Sequence, residues 1–363
     1  MIINIMDMKQ FNNRIKAIAL IALIALPFNT ILAGNPQRAG QSGASELLIN
    51  PWARTSGWAG ANIAGVRGLE GIYSNVAGLA FTPKTELIFS RTNWLMYNDN
   101  EAVSYINTFG FAQKVGESGV LALGIMSMDF GDIEITTEEL PAGGIGTFSP
   151  KFMNMAVSYA KIFSNSIYGG VTVKMISEQI SNVGANGVAL DAGIQYVTGT
   201  KDNLKFGISL KNVGPRISFS GDGLAFRGIV GDDDDYKMTV EQRSSEFELP
   251  ALLNIGISYD INVMQHRLTG AGTFTSNSFQ KDQYRLGCEY AYRNMFMVRT
   301  GYTYEEGIRD PSTRTTALRG PSAGFTIELP MGSNGATFGL DYSYRHTDPF
   351  QGSHTIGARI NLQ

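Results

Sequence analysis

The chain has 363 residues, a formal net charge of −3 and a hydrophobic fraction of 43%. This length suits two ordinary soluble domains or one large barrel, and the ordinary hydrophobic fraction argues against a bundle of transmembrane helices. The small negative charge and the lack of a basic run argue against nucleic acid as a partner. The single cysteine, Cys288, excludes an internal disulfide and a thiolate metal cluster.

Residues 1–33 have the composition of an export signal. Three basic residues precede an uncharged run at 17–26, and a weaker apolar stretch ends at Ala33. A positive flank, a short apolar core and a small residue describe a secretory signal peptide, which is too short to cross a bilayer as a helix. We expect cleavage after Ala33, and Met8 is an alternative start of translation.

Residues 34–85 differ from the rest of the chain because they lack sustained alternation and are rich in Gly, Ala, Ser and Asn. We expect short helices joined by glycine turns, over 51–59 and 76–80. A flexible tail is the alternative interpretation, but large apolar side chains such as Trp52 and Trp58 argue against disorder. The composition therefore predicts a plug that enters the lumen of a barrel formed by residues 86–363.

Residues 86–363 alternate between apolar and polar side chains with a period of two, which places the two sets on opposite faces of a strand. Over 282–293, for example, Leu286 and Cys288 alternate with Arg285 and Gly287. One face is aliphatic with tyrosines near the strand ends, and the other carries charges and glycines, as in a barrel that crosses lipid. The pattern predicts an all-β fold, a transmembrane antiparallel up-and-down β-barrel of about fourteen strands. The predicted strands lie near 86–95, 102–114, 119–129, 151–162, 167–179, 187–198, 203–213, 250–261, 266–276, 282–293, 294–305, 319–329, 335–346 and 353–362.

The connections between these strands are of two kinds. Tight turns such as 115–118 and 199–202 alternate with long connections at 130–150, 214–249 and 306–318. Short turns on one side and long loops on the other are the asymmetry of outer-membrane barrels. The sequence therefore predicts an outer-membrane protein in contact with outer-membrane lipids and lipopolysaccharide, with both termini in the periplasm.

The predicted plug contains a distinctive set of small residues, a proline and an asparagine-led turn. The set comprises Gly43, Ala44, Leu47, Ile49, Pro51, Ala53, Arg54, Gly57, Gly60, Ala61, Asn75, Val76, Ala77, Gly78, Leu79 and Ala80. It resembles the opening signature of the PorV/PorQ family, within the FadL-like group of 14-stranded outer-membrane barrels, although Val76 stands where that family usually has proline. The resemblance implies an N-terminal segment inside the barrel and a Bacteroidota-type outer membrane. For the best-known members of the family it also implies work with the type IX secretion machinery.

Charged residues recur at the inward parity of the predicted strands. They are Asp191, Lys205, Lys211, Asp260, Arg285, Glu289, Arg299, Glu328, Asp341, Arg345 and Arg359. Because both signs occur together, we expect salt bridges that brace the wall and the plug rather than an ion filter of one sign.

The longest predicted loop is the best candidate for a surface that contacts a partner. It carries Phe226, Asp232, Asp233, Asp234, Asp235 and Tyr236. A calcium loop needs oxygen ligands at alternating positions and a turn glycine, and four consecutive aspartates do not provide that spacing. We therefore expect a solvated acidic tip rather than a metal site.

Motifs of an enzyme are scarce in this chain. Of its three histidines, His346 and His354 flank the last predicted outer loop, with Asp348 and Ser353 nearby. A rim hydrolase would need a histidine with a carboxylate or serine partner, but polar residues crowd any barrel rim. We therefore expect no enzymatic activity, no cofactor and no metal.

Two functions agree best with these features, and a rim enzyme is a weaker third. The leading hypothesis is an accessory subunit of a larger outer-membrane machine, for type IX secretion or for assembly of other barrels, with outer-membrane proteins or surface lipoproteins as partners. The alternative is a FadL-like channel for hydrophobic small molecules. That channel would need an apolar cavity near the plug, for which Trp52, Trp58 and Phe81 are the candidates.

Overall fold

The computed structural model describes residues 34–98, 101–229, 237–332 and 334–363, so the predicted signal peptide lies outside the described residues. Fourteen strands form one closed antiparallel barrel, which confirms the predicted fold class. The barrel strands are β1 (Thr85–Asn98), β2 (Glu101–Val115), β3 (Gly119–Asp129), β6 (Lys151–Ile162), β7 (Ile167–Ile180), β8 (Val183–Thr198), β9 (Leu204–Val213), β12 (Leu252–Val263), β13 (His266–Asn277), β14 (Gln283–Tyr292), β15 (Phe296–Tyr304), β16 (Leu318–Met331), β17 (Ala336–Thr347) and β18 (Ser353–Leu362). Two small hairpins lie in the connections: β4 (Ile133–Glu134) with β5 (Thr147–Phe148), and β10 (Ala225–Ile229) with β11 (Lys237–Glu241).

The alternation in the sequence becomes an inside and an outside. Along β12, Ile255, Ile257 and Tyr259 are exposed on the outer surface, whereas Asn254 and Ser258 are buried within the barrel. An apolar exterior and a polar interior are what a barrel needs when its outer surface meets hydrocarbon. The alternation therefore determines which side chains of a strand face outward and which face the lumen.

Closure of the sheet leaves no strand edge whose unpaired backbone groups would need hydrogen-bond partners that lipid does not provide. The first strand pairs with the last, with partners running from Thr85 opposite Leu362 to Asn93 opposite His354. Every backbone donor and acceptor in the hydrocarbon region must be paired internally, and this final ladder completes that pairing.

The barrel has a loop end and a turn end. At the loop end, the connections 130–150, 214–251 and 305–317 are long, and the first two contain the small hairpins. At the turn end, connections such as 116–118 and 264–265 are short. Among the described residues, no helix is both long enough and apolar enough to span a membrane.

Residues 34–84, which we call the plug, begin at the loop end, where 36–41 are largely exposed, and continue into the lumen of the barrel. They form a helix, α1 (Ala53–Gly57), and 3-10 helices at Pro36–Arg38, Ser45–Leu48, Gly68–Tyr73 and Val76–Phe81. The helix predicted over 51–59 is thus shorter than expected, and the one predicted over 76–80 is a 3-10 helix.

The plug packs on the barrel wall through an apolar core. Trp52, Leu69 and Leu79 from the plug are buried against inward-facing Ile106 and Met126. This core lies beside the first strands of the barrel, and α1 contacts β16, β17 and β18 on the other side of the lumen. The plug therefore bridges the lumen from wall to wall.

Candidate functional site

The plug leaves two cavities in the lumen. The loop-end chamber has a volume of about 390 Å3, and the turn-end chamber has a volume of about 340 Å3. Ser56 and Gly60 line the loop-end chamber, Arg54 and Trp58 line the turn-end chamber, and Thr55 lines both. The partition between the two chambers is therefore formed by α1 and the turn that follows it.

One side of the loop-end chamber is apolar, and we call Trp94, Phe130 and Phe152 its aromatic wall. Phe130 and Phe152 meet edge to face, with ring centroids 5.1 Å apart and an interplanar angle of 71°. Met128 and Ile49 extend the same surface. Small-molecule sites are concave and mostly apolar with few polar groups, and this side of the chamber has that character.

The other side of the loop-end chamber carries three cations, Lys211, Arg285 and Arg345, which we call the cationic wall. The Lys211 Nζ donates to the carbonyl of Tyr73 at 2.8 Å. The Arg285 Nη2 donates to Gln283 Oε1 at 2.8 Å, and the buried Arg285 Nε has no partner among the described residues. The Arg345 guanidinium makes no hydrogen bond with a described residue, and no described carboxylate lies within 4.0 Å of any of the three.

Carboxylates near the cationic wall compensate its positive charge only in part. Burial, together with the neighbouring Glu178, raises the pKa of Glu46 to about 8, so that Glu46 is mainly neutral at neutral pH. The Glu305 carboxylate accepts hydrogen bonds from the Gln283 amide at 3.1 Å and from the Thr315 backbone N–H at 2.9 Å. Glu305 thus reaches Arg285 only through the intervening Gln283 side chain.

A network of ion pairs, which we call the plug latch, ties the partition to the barrel wall. Arg54 of the plug lies 3.4 Å from Glu328 and 3.5 Å from the plug residue Glu70, measured between their side-chain N and O atoms. Arg359 of the wall lies 3.0 Å from Glu328 and 3.4 Å from Glu70, and Asp341 lies 3.7 Å from Arg54. Because removal of one partner leaves a buried charge uncompensated, each of the five residues holds the others in place.

Side chains of the wall also donate hydrogen bonds to backbone carbonyls of the plug. These bonds satisfy backbone carbonyls of the plug that lie inside the lumen, most of them in segments between its short helices. The donor and acceptor pairs are Ser90 to Pro51 (2.7 Å), Ser322 to Gly57 (3.0 Å), Thr273 to Ala61 (2.6 Å), and Gln195 to both Ile63 and Val66 (3.1 Å each).

Asn75 is the most densely bonded side chain of the plug. Its amide nitrogen donates to the carbonyl of Ile63 at 3.2 Å and to the carbonyl of wall residue Ile194 at 3.1 Å, and its Oδ1 accepts from the N–H of Ala77 at 3.2 Å. A Cβ on the facing Gly193 would lie 2.1 Å from Asn75 Oδ1. The absence of a side chain at Gly193 therefore makes room for this contact.

The other plug positions singled out in the sequence take similar close-packed places. A Cβ on Gly57 would lie 3.2 Å from the Cα of Gly324 in the wall, and one on Gly78 would lie 2.6 Å from the carbonyl oxygen of Val66. Leu79 is fully buried in the apolar core. Small residues here allow the plug backbone to approach itself and the barrel closely.

All eleven predicted lumen charges lie on the inward side of the wall, but their pairing differs among them. Eight make ion pairs: Asp191 with Lys174 (2.6 Å), Lys205 with Asp260 (2.5 Å), Glu289 with Arg299 (2.8 Å), and Glu328, Asp341 and Arg359 within the plug latch. Lys211, Arg285 and Arg345 depart from the predicted bracing, because none of them has an ion-pair partner among the described residues. These three side chains line the loop-end chamber, where no described carboxylate lies within 4.0 Å of them.

The turn-end chamber, in contrast, has its charges compensated. Arg267 lies 2.9 Å from Glu289, and the guanidinium of Arg67 lies 4.6 Å from the ring centroid of Phe81. Trp52, Trp58 and Phe81, the candidates from the sequence for an apolar cavity, do not line the loop-end chamber. Trp52 is buried in the core, and Trp58 borders the turn-end chamber.

Sequence reasoning missed the aromatic wall. Trp94, Phe130 and Phe152 lie where strands end at the loop side, so their parity alone does not separate lumen from rim. Closer attention to aromatic residues beside the long 130–150 connection could have found two of the three.

The predicted partner loop is only partly described. Phe226 lies on β10 and is exposed, whereas Asp232, Asp233, Asp234, Asp235 and Tyr236 fall outside the described residues. The 130–150 connection carries further exposed apolar side chains at the same end of the barrel. They are Ile133, Ile135, Leu140 and Ile145.

The histidines do not form a recognisable catalytic arrangement. Each contacts a tyrosine hydroxyl through Nδ1: His266 at 2.7 Å, His354 at 2.8 Å and His346 at 3.4 Å. Asp348 instead pairs with Arg314 at 2.6 Å. Over the part of the chain that the structure describes, no group of His, Cys, Asp and Glu could hold a metal ion.

Comparison with known proteins gives a likeness in fold. No protein-family model and no curated protein matches the chain. Among solved structures, the chain is similar to the toluene transporter TodX of Pseudomonas putida at 12% identity, covering 86% of this chain and 97% of that chain, with a TM-score of 0.50. It is also similar to a deltaS2 mutant of the TodX monoaromatic hydrocarbon channel at 13% identity, covering 87% of this chain and 99% of that chain, with a TM-score of 0.51. For a Pseudomonas aeruginosa FadL homologue the identity is 13%, the coverage is 84% of this chain and 96% of that chain, and the TM-score is 0.46. The fold of this chain is thus similar to that of the TodX barrel.

Proposed function

We propose that the protein is a non-enzymatic outer-membrane channel for hydrophobic small molecules. The observation that carries the proposal is the loop-end chamber, a cavity inside the barrel that presents an aromatic wall. The likeness in fold to TodX, which is described as a toluene transporter, supports the same function. The PorV/PorQ resemblance remains the reason to expect a Bacteroidota-type host.

In this proposal a solute first binds in the loop-end chamber and then passes the partition. A cavity of about 390 Å3 accommodates a one-ring or two-ring aromatic molecule. Burial of its surface against Trp94, Phe130 and Phe152 contributes about 25 cal/mol per Å2 of apolar area removed from water. Movement of α1 then joins the two chambers, because Thr55 borders both.

Binding is tested with radiolabelled naphthalene in equilibrium dialysis against the protein in nanodiscs, with empty nanodiscs subtracted for lipid partition. Phe130→Ala and Phe152→Ala each remove a stacking surface, which is worth about 0.5–1.5 kcal/mol beyond the area buried. We expect affinity to fall about threefold to tenfold for each variant. The control is Phe89→Ala, because Phe89 is exposed on the outer surface of the barrel.

Transport is tested with Gram-negative cells, whose lipopolysaccharide leaflet resists hydrophobic solutes. Expression of the protein should accelerate naphthalene uptake, and Phe130→Ala should reduce that acceleration. Equal uptake with and without the protein would remove the proposed function.

A second candidate function is the accessory subunit of a larger outer-membrane machine. The observation that favours it is the set of exposed apolar side chains on the loops, among them Ile135, Leu140, Ile145 and Phe226. Such side chains at the rim of a barrel suit contact with another outer-membrane protein or a surface lipoprotein.

This candidate is tested by affinity purification of the tagged protein in mild detergent, followed by mass spectrometry. Co-purification of a giant secretion channel would favour a role in type IX secretion, and co-purification of the barrel-insertion core protein would favour a role in assembly. Deletion of the β10–β11 hairpin should then abolish the association. Purification of the barrel without other proteins would contradict the accessory-subunit function.

A further inference from the structure

We propose that the outer surface of the barrel around Arg91 binds the phosphate group of lipid A, the phosphorylated glycolipid of the outer leaflet. The site comprises two opposed pairs in the ladder between β1 and β2, namely Arg91 with Asn107 and Asn93 with Tyr105. We call these four residues the headgroup site. It lies on the outside of the wall, away from both chambers, so the proposal does not rest on the channel function.

The first observation is a charge on a surface that meets lipid. Ser90 and Thr92 are buried on the lumen side, so the exposed Arg91 between them points outward. Among the described residues, neither β18 nor the stretch Tyr105–Val115 of β2 places a Lys, Arg, Asp or Glu at an outward position. A cation on the lipid face is strongly destabilising at the bilayer midplane and nearly neutral close to the interfaces. Arg91 is therefore stabilised by an anion that lies at its own depth.

The second observation is the depth of Arg91 in the wall. Its partner on β18 is Ile356, whose partner on β17 is Tyr342. The Arg91 guanidinium lies 4.9 Å from the ring centroid of Tyr105. Outward tyrosines form the girdles that mark the two membrane interfaces. Since this girdle is the one at the loop end, and long loops mark the outer side of such a barrel, Arg91 lies level with the headgroups of the outer leaflet.

The hydrogen-bond donors of the headgroup site are free. The Arg91 guanidinium makes no hydrogen bond with a described residue, and no described carboxylate lies within 4.0 Å of it. The side-chain amides of Asn93 and Asn107 likewise make no hydrogen bond with a described residue. The outward carboxylate of Asp129, on the neighbouring β3, accepts from the Gly131 N–H at 2.9 Å. A guanidinium binds phosphate oxygens with paired hydrogen bonds and an amide adds a further donor, so the site fits an anion.

The surface below the headgroup site favours a lipid over a soluble anion. Phe109 and Phe111 follow Asn107 on the outward face of β2, toward the turn end, with exposed fractions of 42% and 38%. A lipid whose phosphate meets Arg91 therefore places its acyl chains against these two rings. Lipid A carries a phosphate monoester, whose second pKa of about 6 gives it nearly two charges at neutral pH. The phosphodiester of a phospholipid carries one charge and is the weaker partner for the same donors.

The depth of Arg91 also argues against a protein as the occupant. A partner chain would have to bring a carboxylate to the edge of the hydrocarbon, where an ionisable side chain is costly to place. The outer leaflet, in contrast, supplies phosphate at this level on every side of the barrel. We therefore assign the headgroup site to lipid.

The test is native mass spectrometry of the full barrel, released from detergent after titration with one of three lipids. The lipids are monophosphoryl lipid A, lipid A stripped of phosphate, and phosphatidylglycerol. The fraction of barrel with a first lipid bound, measured at each lipid concentration, gives an apparent affinity. We expect monophosphoryl lipid A to bind about tenfold more tightly than the form without phosphate, and phosphatidylglycerol to bind more weakly than monophosphoryl lipid A.

Two variants connect this preference to Arg91. Arg91→Gln should remove most of the preference for the phosphorylated form, and Arg91→Lys should retain part of it, because lysine keeps the charge but lacks the paired donors. The matched control is Lys161→Gln, which removes an exposed cation at the turn end of β6 and should leave both affinities unchanged. Thermal unfolding of each variant in detergent reports whether the barrel is intact.

The outcomes are distinct from those of the channel test, since Arg91→Gln should leave naphthalene binding unchanged. Equal binding of the two forms of lipid A, or a preference that survives Arg91→Gln, would overturn the headgroup site. Equal binding of phosphatidylglycerol and monophosphoryl lipid A would overturn the choice of the glycolipid. A protein that co-purifies with the wild type but not with Arg91→Gln would overturn lipid as the occupant.

Discussion

The buried amide of Asn75 offers a direct measure of how firmly the plug is held. Asn75→Ala removes two hydrogen bonds that the amide nitrogen donates, to Ile63 and Ile194, and one that Oδ1 accepts from Ala77. Each is worth about 0.5–1.5 kcal/mol net, so about 3 kcal/mol of plug stability should be lost. The carbonyl of Ile63 keeps a second donor in Gln195, so this carbonyl stays hydrogen-bonded in the variant.

Hydrogen exchange measured by mass spectrometry reports the free energy with which plug amides open. A loss of about 3 kcal/mol raises the open population more than about a hundredfold, so exchange over Ile72–Phe81 should accelerate by that factor. The barrel strands should exchange as before, because their ladders are unchanged. Asn165→Ala, at an exposed turn, is the control. Unchanged exchange of the plug in the Asn75 variant would refute the view that this side chain anchors it.

Three further expectations concern the latch, the seal and the effect of pH. Arg359→Gln leaves the buried Glu70 with one cation fewer and should destabilise the protein by about 3 kcal/mol in urea unfolding; an unchanged midpoint would show that the latch is dispensable. Deletion of residues 40–80 should raise the single-channel conductance in planar bilayers, and an unaltered conductance would mean that other parts close the lumen. The raised pKa of Glu46, from 4.5 to about 8, contributes stability that is fully present below the unfolded value and is lost as pH rises through about 8. The melting temperature should therefore fall between about pH 4.5 and about pH 8, and a Glu46→Gln variant that keeps the same slope would contradict this assignment.

The barrel could be predicted from the sequence because lipid and lumen impose opposite demands on alternate residues. In β12 the outward Ile255 and Ile257 and the inward Asn254 and Ser258 follow that rule. The asymmetry of the connections could be predicted for the same reason, since tight turns and long loops lie on opposite sides of a membrane. These features depend on local parity, which a single sequence records.

The candidate site depends on contacts between distant parts of the chain, which parity does not record. Arg54 meets Glu328 and Asp341 across the lumen, and nothing near Arg54 in the sequence indicates those partners. Inward parity predicted Arg285 and Arg345 as braces, but parity cannot distinguish a cation that faces a carboxylate from one that faces a cavity. The aromatic wall was missed because its members lie at strand ends, where parity does not distinguish a side chain in the lumen from one at the rim.

The position of Thr55 has a consequence for permeability. Because this residue borders both chambers, the barrier in the proposed channel is about one helical turn thick, or roughly 5.4 Å. An opening of that size involves the latch around Arg54 but leaves the core around Trp52 and the Asn75 anchor in place. In the proposed channel, the contacts that hold the partition therefore also contribute to the stability of the barrel. A change at the latch should alter both the opening of the pore and the free energy of unfolding.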